Sequence, residues 1–467
     1  MTYHKIQTSD IDFFVQLLGQ GYVLIDAETL AIFSKDHTED LIYSPEIVLF
    51  PANSNEISSI LNYCNEHHIP VTPRGAGTGL SGAALPIYGG IVLSTKRLNQ
   101  IISIDEDNFQ AIVEPAVINE TLQQAVIEKG LFYPPDPASK GSCFIGGNVA
   151  HASGGPRALK YGTTRDYILN LEVVLPTGEI IWTGANTLKY STGYNLTHLM
   201  IGSEGTLGIV TKIVLKLIPY PTKNTLLLVS FNSPETACAA VSKLFIAGCN
   251  PSVCEFVEPD AFKLSSALTG LALHIPAEVE AFLLIEIDGN DAEQIAKEVD
   301  TLCTVLYALD CIDILLADTA DQKEYFWKLR RTIGEATKKN NVYKEEDTVV
   351  PRAALPILYR GVKEIAARYQ LRTICYGHAG DGNLHVNILK DNLSDEYWNN
   401  DVKDAIREIF FLCKKLNGTI SGEHGIGLVQ KEYMSIVMPE IQLELMRKIK
   451  LVFDPNSILN PGKIIPN

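Results

Sequence analysis

Four glycines fall within eight residues, Gly75, Gly77, Gly79 and Gly82, directly after an extended run that ends at Arg74. Pro86, Gly89 and Gly90 interrupt the chain within the next eight residues. Gly77, Gly79 and Gly82 satisfy G-x-G-x-x-G, but a Rossmann dinucleotide fold needs a helix opening on the third glycine, with the pyrophosphate at its N-terminus. The early proline and glycine pair leave no room for that helix. A Walker loop is excluded as well, because no G-x4-G-K-[ST] occurs. Two readings remain: a nest of backbone N–H groups, several free to take positive φ, that wraps an anion such as pyrophosphate, or a plain glycine-rich turn between strands.

Two more clusters bear on that choice. Pro134-Pro135-Asp136-Pro137 leads into Ile145-Gly146-Gly147-Asn148 and Ser153-Gly154-Gly155, and Gly202-Ser203-Glu204-Gly205-Thr206-Leu207-Gly208-Ile209 precedes an alternating strand. Three backbone-exposing loops in one region suggest a long ligand gripped along its length. A flavin dinucleotide fits that description better than a single phosphate.

A chain of 467 residues predicts two or three domains of roughly 100 to 200 residues each. Asn53 to His67 reads as a helix, with Asn53 as cap, Glu56 at the third position and Ile57, Ile60, Leu61 and Cys64 on one face. Extended runs over Pro70 to Arg74 and Gly90 to Ser94, a helix from Asn119 to Lys129, a hairpin from Leu169 to Thr183 and a strand from Ile209 to Ile218 follow. Two prolines within Pro219 to Asn224 mark a linker. Beyond it, strands at Thr225 to Phe231 and Ala281 to Ile287, with helices at Pro234 to Ala247, Ala292 to Tyr307, Leu355 to Tyr369 and Asp401 to Leu416, suggest an antiparallel sheet covered by helices on one face. The fold class expected is α+β.

Charge narrows the partners. With 39 Lys plus Arg against 55 Asp plus Glu the net charge is −16, which disfavours nucleic acid. No apolar stretch reaches the ~18 residues of a membrane span and no leader pattern opens the chain, so a cytoplasmic location is expected, with a peripheral place at the inner membrane face left open. Nine scattered cysteines without any C-x2-C make neither a disulfide framework nor an iron–sulfur site.

Three histidines gather late in the chain. Gly377-His378-Ala379-Gly380-Asp381-Gly382-Asn383-Leu384-His385-Val386-Asn387 puts two imidazoles on either side of a tight loop, and Ser421-Gly422-Glu423-His424-Gly425-Ile426-Gly427 adds a carboxylate and a third. Two His and one Glu make a divalent-metal ligand set with open positions. Histidines in glycine loops equally cap turns.

The blocks P-R-G-A-G-T-G-L-S-G, P-P-D-P-x-S, I-G-G-N, K-Y-G-T-T-R-D-Y, G-S-E-G-T-L-G-I, G-H-x-G-D-G-N-x-H and S-G-E-H-G-I-G, in this order, resemble the FAD-linked 2-hydroxyacid dehydrogenase group of the vanillyl-alcohol oxidase superfamily. That group comprises the glycolate oxidase flavoprotein subunit, D-lactate dehydrogenase and D-2-hydroxyglutarate dehydrogenase. The resemblance implies a two-lobed FAD-binding domain over residues 1–220, a substrate and metal-binding domain over 221–450, and a segment 451–467 that returns to the first. FAD, held non-covalently, is implied to meet Arg74, Gly75, Ala76, Gly77, Thr78, Gly79, Leu80 and Ser81, then Asp136, Ser139, Gly146, Gly147, Asn148, Glu204 and Ile209, with Asn460 near the flavin. His151 and Cys143 are expected to be packing residues. His378, His385 and Glu423 are implied metal ligands, zinc by expectation, with His424 the base and Arg330, Asn387 and Lys344 the substrate contacts.

The implied reaction is oxidation of a small anionic 2-hydroxy acid to the 2-oxo acid, with hydride transfer to flavin N5. Gly334 stands where D-2-hydroxyglutarate enzymes resembling this chain carry Thr, although Lys344 matches their basic residue, which favours glycolate or D-lactate. An external electron acceptor is expected: a quinone, an electron-transfer protein, or partner flavoprotein and iron–sulfur subunits. A homodimer is a further expectation. A D-2-hydroxyglutarate enzyme, a metal-dependent hydrolase whose glycine loops bind a nucleotide, and a non-catalytic flavin-holding subunit are the alternatives.

Overall fold

The computed structural model describes residues 3–466, which divide into two compact units. The first holds the chain up to Gly154, Thr163–Tyr220 and everything from Glu423 onward; the second holds Gly155–Gly162 and Pro221–Gly422.

In the first unit, Ile47–Leu49, Ile91–Ser94 and Val71–Arg74 run parallel, and Val23–Leu24 adds an antiparallel edge. The helix Ser54–His67 follows the first of these strands. Its cap is the expected one: Asn53 Oδ1 accepts from Glu56 N at 3.0 Å, and Glu56 Oε2 accepts from Ala52 N at 2.7 Å. Ile57, Ile60, Leu61 and Cys64 are fully buried, and each large aliphatic among them contributes about 1.5–3 kcal/mol by leaving water. An antiparallel sheet of five strands stands beside it in the same unit, in the order Ile101–Asp105, Gln110–Val113, Ile209–Lys216, Ile168–Val174, Ile180–Trp182.

The C-terminal segment closes onto the first sheet. Val71 N donates to Ile458 O at 2.8 Å and Asn460 N donates to Val71 O at 2.7 Å. The return begins earlier than residue 451, however. From Ile426 onward the backbone is already tied to the first unit, because Glu204 accepts from Ile426 N at 2.7 Å and Gly427 N at 2.8 Å, and Ser81 O accepts from Leu428 N at 2.7 Å.

The second unit is built on one antiparallel sheet. Its strands are β1 Lys223–Phe231, β2 Val253–Val257, β3 Ala281–Gly289, β4 Asp313–Ala317, β5 Tyr343–Val349, β6 Arg372–Gly377 and β7 Asn383–Leu389, in the order β4-β1-β3-β2-β6-β7-β5. Helices cover both faces, not one. Tyr359 of Leu355–Arg368 packs on Phe256, with ring centroids 5.4 Å apart, on one face. Phe262 of Pro259–Thr269 and Phe326 and Trp327 of Ala320–Arg331 join Val253, Val257 and Leu284 in a core on the other. The first eight residues of β3 are all buried, the mark of a strand covered on both sides.

The segment Gly155–Gly162 belongs here because of charge. Arg157 Nη2 lies 2.8 Å from Glu286 Oε1, while Asp288 takes Lys160 Nζ at 2.7 Å and Tyr161 OH at 2.9 Å. Both acids sit on β3, and alternation puts them on the same face.

Candidate functional site

Cross-strand register builds a polar row on one face of the second unit's sheet. Val257 pairs with Tyr376, Tyr376 with His385 and His385 with Asp347, and two residues along Ile374 pairs with Asn387 and Asn387 with Glu345. Side chains alternate along each strand, so Glu255, Tyr376, His385, Asn387, Glu345 and Asp347 all project to one side. The rings of Tyr376 and His385 are 5.3 Å apart, and Tyr376 OH donates to Glu345 Oε1 at 3.3 Å.

His378 follows β6 and turns onto the same face. Its ring lies 5.2 Å from that of His385, edge to face. His378 Nδ1 is 2.7 Å from Glu255 Oε1, a contact in which Nδ1–H donates to the carboxylate. Arg330, near the end of the helix Ala320–Arg331, places Nη2 2.5 Å from Glu255 Oε2 and its guanidinium carbon 4.9 Å from the Tyr376 ring centroid. It is therefore not a solvated helix-surface charge. Burial drives the Glu255 carboxyl upward, but the neighbouring His378 and Arg330 outweigh it and hold the pKa below the usual range. Arg330 Nε and Asn387 Oδ1 are buried without a protein partner, which marks the positions where a ligand's acceptor and donor would be received.

This donor set suits a divalent cation. His378 and His385 offer ligand atoms within 4.8 Å of each other, as do His385 and Glu345, and the Glu255 contact sets the His378 tautomer in the way metal-bound histidines need. Asp347 anchors the next stretch of chain: Oδ1 accepts from Asn383 Nδ2 at 2.7 Å, and Oδ2 accepts from Gly422 N at 2.8 Å and Ser421 Oγ at 3.1 Å. Glu423 and His424 continue covalently from that anchored Gly422.

Lys344 does not join the row. It pairs with Ile388 on the opposite face, and its Nζ lies 4.9 Å from the Trp398 ring centroid. Glu345, its neighbour, occupies the side where Arg330 and Asn387 lie. Motif reading misses Glu255 and takes Glu345 and Asp347 only as acids that could neutralise Lys344, because none sits in a glycine or histidine block and only strand register brings them to this face.

In the first unit the glycine loops converge. A Cβ on Gly75 would lie 3.7 Å from the Phe144 ring, one on Gly79 would lie 3.8 Å from His151 Nε2, and one on Gly427 (φ +50°) would lie 2.2 Å from Ser81 O. Gly147 has nothing within 4 Å of such an atom, whereas Gly146 backs onto Pro115 with a contact of 2.5 Å. Gly147 thus leaves space and Gly146 is required for packing. Asn148 Nδ2 donates to Asn119 Oδ1 at 3.1 Å, and Asn460 Nδ2 donates to the carbonyls of Glu204 at 2.7 Å and Ala83 at 3.0 Å. Ile209 lies in the hydrophobic core and Asp136 is buried.

Buried atoms without protein partners test whether this cradle suits FAD. Arg74 Nη1, Ser81 Oγ and His151 Nε2 are all of that kind. Burial also pulls the Arg74 pKa down, against the opposing pull of the Asp36 carboxylate. A guanidinium, a hydroxyl and an imidazole beside glycine backbone match a ligand with phosphate and hydroxyl groups. His151, expected as packing, has Nδ1 3.1 Å from Gly147 O and Nε2 buried without a protein partner. Cys143 is buried, and none of the nine cysteines forms a disulfide.

Comparison with known proteins agrees with both units. Residues 45–184 match the FAD binding domain, and residues 220–464 match the C-terminal domain of FAD linked oxidases. The chain is 39% identical to glycolate oxidase subunit GlcD of Bacillus subtilis, over 93% of this chain and 92% of that protein. It is 37% identical to a D-lactate dehydrogenase of Anaerostipes hadrus, over 99% and 98%, and 32% identical to a D-2-hydroxyglutarate dehydrogenase of Stutzerimonas stutzeri, over 97% and 98%. Substrate-bound p-cresol methylhydroxylase shares the fold, with a TM-score of 0.81 at 19% identity over 97% of this chain and 96% of that one. The chain belongs to the FAD-linked oxidase family. It is an FAD-dependent oxidoreductase, which sets aside the hydrolase reading.

Proposed function

We propose that this protein oxidises a small 2-hydroxy acid, glycolate or D-lactate, to the corresponding 2-oxo acid. The observation that carries the proposal is the pair of buried, unsatisfied atoms, Arg330 Nε and Asn387 Oδ1, beside His378 and His385 on one sheet face. Similarity to proteins named for glycolate, D-lactate and D-2-hydroxyglutarate supports the 2-hydroxy acid class.

Arg330 receives the substrate carboxylate, as a planar guanidinium with a free N–H does well. Asn387, whose Oδ1 is buried without a protein partner, lines the substrate position beside Arg330. His424 removes the hydroxyl proton, a contribution of about 10²- to 10⁴-fold for a positioned base. His378, His385 and Glu423 hold a divalent cation, with Glu345 the alternative carboxylate beside His385. Arg74, Ser81, His151 and the glycine backbone hold FAD. When bound, the flavin supplies a two-electron acceptor and the cation supplies Lewis acidity toward the hydroxyl and carboxylate oxygens.

Lys344 lies on the far face of the sheet, which favours a monocarboxylate over D-2-hydroxyglutarate, since no second cation from that position meets a distal carboxylate. Electrons leave to an external acceptor. Similarity to a protein named as an oxidase subunit supports a partner subunit in that role. No helix among the described residues is long and apolar enough to cross a membrane. Steady-state turnover with an artificial acceptor, compared across glycolate, D-lactate and D-2-hydroxyglutarate, tests the selectivity. A kcat/KM highest for the dicarboxylate overturns it.

A further inference from the structure

Glu255 carries one carboxylate but serves two neighbours of different purpose. Oε1 takes His378 Nδ1 at 2.7 Å and Oε2 lies 2.5 Å from Arg330 Nη2, with Glu255 itself fully buried at the centre of the sheet on β2. A buried carboxylate between two cationic or potentially cationic groups is common as a structural pair. Here each neighbour also lies beside the polar row: the His378 ring stands edge to face with that of His385 at 5.2 Å, and Arg330, over the Tyr376 ring at 4.9 Å, has its Nε buried without a protein partner.

We infer that Glu255 is a positioning residue that couples cation binding at His378 to carboxylate binding at Arg330. The inference rests on the functional reading given above and extends it. The coupling follows from the geometry. Accepting from Nδ1–H fixes the His378 tautomer and ring plane and makes Nε2 a better donor to a cation. The same charge lies 2.5 Å from Arg330 Nη2 and restrains the guanidinium, whose Nε is buried without a protein partner. Either neighbour moving pulls on a carboxylate whose other oxygen is already committed. Loss of Glu255 therefore weakens both sites at once, although it touches neither ligand.

A second buried acid supplies the control. Glu286, on the adjacent strand β3 and the same face, pairs with Arg157 at 2.8 Å and accepts from Trp327 Nε1 at 3.0 Å. It contacts no residue of the polar row in these interactions. Removing its charge disturbs the same core through Arg157 and Trp327, with no hydrogen bond or ion pair to His378 or Arg330 among its contacts.

The test uses flavin-loaded full-length protein, stripped of metal and titrated with Zn²⁺ and Mn²⁺ against a chromophoric chelator. Oxalate binding, followed by the flavin absorbance change, reports the carboxylate site. For Glu255→Gln the metal Kd should rise roughly ten- to a hundredfold and the oxalate Kd should rise with it. Glu255→Asp, which keeps the charge but is one methylene shorter, should weaken both as well. Glu286→Gln should lower the melting temperature while leaving both constants within about twofold of wild type. Metal and oxalate constants unchanged in folded Glu255→Gln and Glu255→Asp proteins, or changed equally in Glu286→Gln, overturn the inference. If wild type binds neither Zn²⁺ nor Mn²⁺, the metal reading itself fails, and that result is distinct from equal binding by wild type and variants.

Discussion

Lys344 and Glu345 are adjacent in the chain yet face opposite sides of the seven-stranded sheet, Lys344 over the Trp398 ring at 4.9 Å and Glu345 accepting from Tyr376 OH at 3.3 Å. One step along a strand reverses the side chain, so a basic residue that matches a motif by position alone stands on the sheet face opposite Glu345, Asn387 and His385.

Replacing Lys344 by Ala should therefore leave kcat/KM for the small 2-hydroxy acid within about twofold. The lost cation–π contact should lower stability by about 0.5–1 kcal/mol. Urea unfolding alongside turnover separates the two. A tenfold loss of kcat/KM with unchanged stability would place Lys344 in the substrate site.

Arg330→Met should be far more severe. It removes the proposed carboxylate partner and leaves Glu255 buried against His378 alone. Truncating one member of a buried charge pair costs about 3–5 kcal/mol, and loss of the substrate contact should lower kcat/KM by a factor on the order of 10² to 10³. Flavin absorbance should persist, because Arg330 lies in the second unit. Turnover near wild type would remove Arg330 from the site.

Gly427→Ala addresses the cradle. The added Cβ would meet the Ser81 carbonyl at 2.2 Å, from a backbone at φ +50°, and a carbonyl in a tied loop has little room to yield. A destabilisation of about 1–3 kcal/mol is expected, together with a lower ratio of 450 nm to 280 nm absorbance in the purified protein. Full flavin retention would separate this loop from cofactor binding.

Lys463 predicts a pH dependence. Burial pushes its ammonium from 10.5 down to about 8. Below about pH 8 the lysine is charged in both states and the folded one bears the cost. Between about pH 8 and 10.5 the folded protein has released this proton while the unfolded chain still binds it, so stability rises with pH across that window, by roughly 3 kcal/mol in all. In flavin-stripped protein, wild type should gain on Lys463→Met between pH 7.5 and 9.5. Parallel curves would show the charge to be better compensated than its burial implies.

Much of the fold is legible locally. The Asn53 cap and the apolar face of the following helix each depend on residues close together in sequence, where spacing and propensity suffice. The glycine and histidine blocks are legible for the same reason. What stays hidden is non-local. Glu255, Asp347 and Glu345 reach the histidines only through pairing of β2, β5, β6 and β7, and nothing near any of them in sequence announces a partner so distant, most of all for Glu255, whose partner His378 is more than a hundred residues away. The return at Glu423 is hidden likewise, since it depends on Glu204 holding the backbone of Ile426 and Gly427.

Anaerobic mixing of the flavin-loaded, metal-replete protein with glycolate or D-lactate, followed at 450 nm, tests the central claim most directly. The prediction is bleaching of the flavin by at least one of them, with one equivalent of glyoxylate or pyruvate formed per flavin reduced. A flavin that stays oxidised with both acids, or that bleaches only with a dicarboxylic 2-hydroxy acid, contradicts it.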